Sequence, residues 1–419
     1  MADRPRVLVI GAGIVGIACG FHLRLRGANV TLVDPEPPGS MTSSGNAGGL
    51  ASTEVMPAGA PGTIWRIPGW LFDPLGPLSL RWRHIPAMLP WLQRFLRASE
   101  RSEVERISKC LSTLLQPSMQ DTKQLLGQAG LQSMITERGS ITVYESEKGR
   151  QQDKLEWQTK QARGIVLEKL NTAEIKRMEP ALHNVSCGYF TPQWGNATDP
   201  LKLCQALASH LQSMGVKIIR DRVNGFRAGD PLQPVLQHTT IAGWDNVVLA
   251  AGVWSASLCH QLGETVILES ERGYNTTLPD PGISLHRQVI FAERKFVASH
   301  VTDGLRIGGA AEFAGIDAPP NYQRSERLIE IAKKYLPDLN SANGSHWMGQ
   351  RSTTPDSLPV IGASTRNPGL CFAFGHGHIG LTTAATTGQL VAQLVFAETP
   401  DIDLSPFSID RFCSRGRNH

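Results

Sequence analysis

The sequence predicts an α/β protein. It is built on a parallel, doubly wound nucleotide-binding domain with a largely β domain inserted into it. Three observations carry this. The aliphatic run Val7 to Ile10 leads straight into Gly11-Ala12-Gly13-Ile14-Val15-Gly16 and then an amphipathic run, Ile17 to Arg26. A second aliphatic run, Val30 to Val33, ends on Asp34. Near the end the pattern returns, with Leu370 to Phe374 followed by the glycine loop Gly375-His376-Gly377-His378-Ile379-Gly380 and the helical run Leu381 to Phe396.

The first element is a dinucleotide fingerprint in its full context: strand, tight glycine turn, helix, strand, acid. Gly11 permits the turn, Gly13 lets the backbone approach a pyrophosphate, and Gly16 lets helix and sheet pack closely. The helix N-terminus offers unpaired N–H groups to the phosphates, and Asp34 can accept from a ribose hydroxyl. Next comes Ser43-Ser44-Gly45-Asn46-Ala47-Gly48-Gly49, either a loop wrapping a ligand or a flexible surface loop. Residues 57–97 then carry four of the nine tryptophans (Trp65, Trp70, Trp82, Trp91) among seven prolines and the arginines 66, 81, 83, 94 and 97. That composition suits a membrane interface, where one end of a side chain is apolar and the other wet. The alternative is a proline-broken segment packed on the domain surface.

Residues 100–130 read as a helix, 139–144 as a strand, 151–163 as a polar helix, and 185–190 as a strand. The first domain resumes with a helix at Pro200 to Met214 and strands at 215–219 and 244–252. The second of these ends in small residues that can bring their backbone to a cofactor. Short β-like runs fill 265–320.

With 419 residues, 41% hydrophobic and 19% charged, the chain has the composition of a globular enzyme of about two domains. The formal charge of +4 and the lack of a basic stripe with interleaved aromatics exclude nucleic acid as a partner. The seven scattered cysteines form no C-x-x-C or metal-ligand spacing, so the reading is a reduced compartment and no metal. There is no secretory signal and no membrane-spanning run, which leaves a cytoplasmic protein, with peripheral contact at the inner face of the membrane as the open possibility.

The fingerprint alone does not separate NAD from FAD. The second glycine loop at a helix head, whose partial positive charge suits an anionic reduced flavin, and the discontinuous layout both favour FAD. The matching pieces are Val9 to Gly16, Val30 to Asp34, Ser43 to Gly48, Arg272-Gly273-Tyr274, Arg351 through Pro355-Asp356 to Gly362, and Gly375-His376-Gly377 with Gly380. On these the chain resembles the D-amino-acid oxidase superfamily of flavoproteins, most nearly the small subunit of bacterial D-amino-acid dehydrogenase. The resemblance implies a discontinuous, glutathione-reductase-like FAD domain (1–60, 195–260, 345–419) and a mainly antiparallel β substrate domain (61–194, 261–344).

It also implies the activity, oxidation of an amine α to a carboxylate, with the α-hydrogen leaving as hydride to flavin N5. The substrates expected are D-amino acids, cyclic ones such as D-proline or hydroxy-D-proline included. Electrons would pass to a quinone or electron carrier. The alternatives are an oxygen-using oxidase of glycine or N-alkyl amino acids, or a subunit needing a partner chain. The cofactor residues it implies are Gly11, Ala12, Gly13, Ile14, Val15, Gly16, Asp34, Ser43, Ser44, Asn46, Ala47, Gly48, Val223, Ala251, Gly252 and Trp254. From the C-terminal loop it adds Gly375, His376, Gly377, His378, Ile379, Gly380, Leu381 and Thr382. Where some relatives attach flavin through a cysteine, this chain has Gly349, so non-covalent FAD is expected. Arg351 is the candidate for the substrate carboxylate, because a guanidinium gives two parallel charge-assisted bonds; otherwise it is a surface residue or pairs with Asp356. Tyr274 is a second carboxylate contact or a core tyrosine.

Overall fold

The computed structural model describes residues 4–59, 78–227, 232–241 and 243–413. Its first sheet has six strands in the order Lys217–Arg220, Asn29–Asp34, Arg6–Ile10, Asn246–Leu249, Leu370–Phe374, Val360–Ala363. All pair in parallel except the last, which is antiparallel. The strands are continuous apolar runs because both faces are covered. Val7 and Val9 enter one core with the fingerprint helix Ile14–Leu25, while Leu8 and Ile10 enter a second with Leu249, Phe372 and Phe374. The fingerprint helix crosses the C-terminal helix Gly380–Val395 at close range, since a Cβ on Gly388 would sit 2.5 Å from the Ala18 carbonyl oxygen.

The second sheet has nine strands. Its run is Ser345–Thr353, Glu269–Leu278, Gly304–Phe313, Phe296–Val301, Gln288–Phe291, Ser140–Tyr144, Cys187–Thr191, Glu168–Asn171, with Leu78–Leu80 beside Gly304–Phe313. It is antiparallel apart from two parallel pairings.

Two boundaries differ from those read in the sequence. Strand Ser345–Thr353 belongs to the nine-stranded sheet, because its pairing partner is Glu269–Leu278 and not a strand of the first sheet. Residues 100–130 form two helices, Arg101–Leu115 and Ser118–Ala129, either side of Pro117. They bury Ile107, Leu111, Leu114 and Leu125 in the core of the fingerprint helix, so they pack on the nucleotide-binding side.

The tryptophan-rich segment divides. Trp65, Trp70 and Arg66 lie outside the described residues. Ile85–Ala98 is a helix despite Pro90, with Pro86 in its first turn. Trp91 is buried, stacked on Phe95, and its indole N–H donates to the Thr353 carbonyl at 3.0 Å. Trp82, at 72% exposed, faces solvent.

Candidate active site

At the fingerprint, Gly11 has φ +110°, and a Cβ there would lie 2.4 Å from the Ala250 carbonyl oxygen. A Cβ on Gly16 would lie 2.0 Å from the Gly11 oxygen. No side chain but glycine fits either place, so strand, turn and helix meet as tightly as a pyrophosphate cradle requires. The fingerprint helix starts at Gly13 with no capping side chain of its own. Its amide at Ile14 donates instead to the Ser43 hydroxyl, 3.1 Å away. Ala12 donates its amide to Asp34 at 2.7 Å, which fixes the carboxylate against the turn. Val15 lies on the helix's first turn. Ala251, Gly252 and Trp254 follow the strand Asn246–Leu249 as a short 3-10 turn beside the cradle. Val223 opens the strand after Asp221, whose amide donates to the Asp34 carbonyl.

The loop from Ser43 to Gly49 is not a free surface loop. Arg306 donates to the carbonyls of Ser44 (3.0 Å) and Asn46 (2.6 Å), Asn275 donates to Gly45, and the Ser299 hydroxyl donates to Ala47. Gly48, at φ +85°, approaches the Ala197 carbonyl where a Cβ would clash at 2.6 Å. Three residues of the β sheet thus hold a loop that starts at the fingerprint helix, and the loop bridges the two domains.

The C-terminal glycine loop reaches the same place. Gly375 and Gly377 both have positive φ, +78° and +51°. Gly377 donates its amide to the Ser352 carbonyl. The His376 ring turns into the core, with Nε2 at 3.0 Å from the Thr387 hydroxyl, and burial lowers its pKa to about 3. It is a neutral structural group. Ile379 and Gly380 begin the C-terminal helix with no side-chain cap, Leu381 is buried, and the Thr382 hydroxyl accepts from the Ala51 amide.

These parts enclose a cavity of about 570 Å³ whose lining includes Asn46, Ala47, Glu271, Arg351, His376 and His378. Across the antiparallel pair, Arg351 stands directly opposite Glu271, and Gly349 opposite Gly273. The glycines make the room. A Cβ on Gly273 would fall 2.4 Å from Arg351 Nη2, and one on Gly349 would fall 1.9 Å from the Trp347 ring. The guanidinium therefore lies flat on the strand, with Nη1 donating to Glu271 Oε1 at 2.9 Å. Asp356 does not compete for it, because it pairs with Arg411 at 2.9 Å.

Glu271 is the residue sequence reasoning missed. It also takes His378 Nε2 at 2.9 Å and the Thr353 hydroxyl at 3.1 Å. Burial alone would push its carboxyl pKa up; His378 and Arg351 beside it outweigh burial and hold it well below the usual carboxylate range.

Tyr274 stands on the same strand as Glu271, three residues further on. Its ring borders the cavity, but its hydroxyl donates to Glu312 and accepts the Asn321 amide at 3.1 Å. Glu312 is itself paired with the fully buried Arg272 and with Arg81. A bulge in Gly304–Phe313, where Ala310 and Ala311 stand against the single residue Gly273, shifts the pairing between Arg272 and Tyr274. The phenol completes that buried charge cluster, and burial raises its pKa to about 12.

The model of the family described as DAO, FAD dependent oxidoreductase, matches residues 6–394. The chain belongs to that family. It is an FAD-dependent oxidoreductase, and the glycine cradle and a helix start that begins on Gly13 fit the pyrophosphate of its cofactor. A protein called D-amino-acid oxidase from Bradyrhizobium diazoefficiens is 35% identical over 98% of this chain and 100% of its own length. A D-amino acid dehydrogenase of Paramagnetospirillum magneticum is 31% identical over 98% of this chain and 99% of its own. Among solved structures, glycine oxidase from Geobacillus kaustophilus superposes with a TM-score of 0.74 at 22% identity, covering 98% of this chain and 99% of that one. That likeness establishes the α/β fold of this flavoenzyme.

Proposed function

We propose that this flavoenzyme oxidises D-amino acids at the α carbon, and that Arg351 binds the substrate carboxylate. The observation that carries the reading is Arg351 itself, a guanidinium laid over Gly273 on the wall of a cavity that the C-terminal glycine loop also lines. Its bond to Glu271 uses Nη1, and among the described residues no hydrogen bond from Nε or Nη2 competes with a bidentate carboxylate. Such a fork fixes the carboxylate end of the substrate, and positioning is the main requirement of the step. The names of the relatives from Bradyrhizobium and Paramagnetospirillum support the substrate class.

FAD, when bound, supplies the two-electron acceptor. The fingerprint residues Gly11 to Gly16 and Ser43 would hold its pyrophosphate and Asp34 its ribose. Loop 44–48, Val223, Ala251, Gly252, Trp254 and residues 375–382 would enclose the rest. Gly349 under the Trp347 ring supplies no thiol, which supports non-covalent binding. Acid precipitation should release the flavin into the supernatant; flavin left in the pellet would contradict this.

Electrons then pass to a quinone or an electron carrier. The helix Ile85–Ala98 supports contact with a membrane surface. Trp82, Ile85, Leu89 and Leu96, between 37% and 72% exposed, fall on one side of it, and Arg83 lies over the Trp82 ring. No helix among the described residues is long and apolar enough to cross a membrane. A second reading is an oxidase that uses dissolved oxygen, favoured by the name of the Bradyrhizobium relative. One assay separates these. With D-alanine or D-proline, keto or cyclic imino acid should form with fast reduction of a quinone analogue and little peroxide. Peroxide equal to product would select the oxidase, and no product from any D-amino acid would overturn the function.

A further inference from the structure

Arg351 and Glu271 face one another as register partners at the cavity wall, with opposite charges and 2.9 Å between Nη1 and Oε1. Neither charge is at home in an empty cavity. The Glu271 side chain is 6% exposed, and an isolated carboxylate at such a depth is strongly disfavoured unless paired. The pair is the mirror of a free amino acid, which carries a carboxylate and an ammonium on one carbon.

We propose that the two residues form a zwitterion site: Arg351 takes the substrate carboxylate and Glu271 takes the substrate amino group. The inference rests on the amino-acid reading above and adds the group that selects an amine.

Three features support the assignment. Glu271 retains capacity, because two carboxylate oxygens offer about four acceptor positions. Its donors are three, Arg351, Thr353 and His378, the last sitting between the two oxygens at 2.9 and 3.1 Å. The carboxylate is ionised in the resting enzyme, as an ammonium partner requires. Its position is fixed from three sides, by β pairing, by the Thr353 hydroxyl and by His378, so it needs no rearrangement to receive a ligand. A zwitterion entering the site leaves both buried charges compensated. A plain carboxylic acid satisfies Arg351 but sets a second carboxylate beside Glu271. A hydroxy acid has the same fault. Glu271 therefore selects amines by repelling their amine-free analogues as well as by binding the ammonium.

A merely supporting role, in which Glu271 only holds Arg351 in place, makes a different prediction, and two ligands tell them apart. The holoenzyme and its Glu271→Gln form are titrated anaerobically with D-alanine, read as flavin bleaching in stopped flow, and with propionate, read as a flavin difference spectrum. D-proline and cyclopentanecarboxylate form a second pair of probes. The zwitterion site predicts that Glu271→Gln weakens amino-acid binding by about tenfold or more while propionate binds as well as before or better. Glu271→Asp, which keeps the charge and is the form to measure should the amide form fail to fold, should keep the preference for the amino acid over its amine-free analogue. Equal weakening of both ligands in Glu271→Gln, or an aspartate form without the preference, would overturn the proposal. A wild-type flavin that dithionite bleaches and no amino acid does would instead overturn the amino-acid reading beneath it, a result read without any variant.

Discussion

At the scale of single residues, Arg351 is the first position to test. Arg351→Ala removes one member of a buried charge pair, and kcat/KM should fall by an amount corresponding to about 2–5 kcal/mol. Arg351→Lys should restore only part of this, because an ammonium cannot form the planar fork. Steady-state kinetics with flavin content held equal provides the check, and unchanged kinetics in the alanine form would remove the role. Tyr274→Phe makes a contrasting case. The hydroxyl it loses belongs to the Glu312–Arg272 cluster, so thermal stability should drop by about 1–3 kcal/mol while substrate affinity holds. A rise in KM with no loss of stability would put Tyr274 back in the substrate site. Arg351 is a candidate from the sequence through the family resemblance, because it stands just before Ser352-Thr353-Thr354-Pro355-Asp356. Glu271 is not, because its importance comes from lying opposite Arg351, and cross-strand register is a tertiary property that one strand's sequence does not contain. For Tyr274 the sequence leaves substrate contact and core packing both open, because its own strand shows neither the bulge in Gly304–Phe313 nor the Glu312–Arg272 pair that takes its hydroxyl.

At the scale of elements, the two helices whose N-termini are proposed to face the cofactor, Ile14–Leu25 and Gly380–Val395, meet at one close crossing. Gly388→Ala puts a Cβ within 2.5 Å of the Ala18 carbonyl, and the helices must separate. The expected result is a loss of about 1–3 kcal/mol in stability together with weaker FAD retention, measured by thermal unfolding and by flavin absorbance after gel filtration. Full flavin retention would show that the crossing does not set the cradle. The helix Ile85–Ala98 carries a second expectation. Trp82→Ser with Leu89→Ser should reduce sedimentation with anionic liposomes and leave stability within about 0.5 kcal/mol, the ordinary range for surface changes. Trp91→Ala, on the inner face, should cost about 3–5 kcal/mol. Equal liposome binding by the double variant would remove the membrane reading. Composition identified this segment as unusual, yet it gave no way to tell which tryptophan faces inward. Helical phase decides that, and with Pro86 and Pro90 inside it the run did not read as a helix.

At the scale of the whole molecule, the discontinuous nucleotide-binding domain was readable because its strands are buried on both faces and appear as uninterrupted aliphatic runs. The helices at 101–129 were placed in the wrong unit, since an amphipathic helix shows that it has a partner but not which one. Buried histidines give the folded protein a pH signature. Burial holds His376 at about 3, and burial with Arg26 nearby holds His22 at about 4. Both lie below the unfolded value of about 6.5, so the unfolded chain binds more protons. Their contribution is therefore full above about pH 6.5 and is lost as pH falls, by up to about 1.4 kcal/mol per pH unit for each histidine. Denaturant melts between pH 6.5 and 5, above the main carboxylate range, should show that slope, and His376→Gln should make it shallower; a flat profile in the wild type would contradict it. The central claim is that a D-amino acid held at Arg351 delivers electrons to FAD, and the most direct test is anaerobic flavin reduction by paired enantiomers. Purified holoenzyme mixed with D-alanine or D-proline should lose its flavin absorbance stoichiometrically, with the L-enantiomers far slower and Arg351→Ala inactive at the same concentrations. Bleaching by the L-enantiomers alone, or by no amino acid while dithionite still reduces the flavin, would contradict the account.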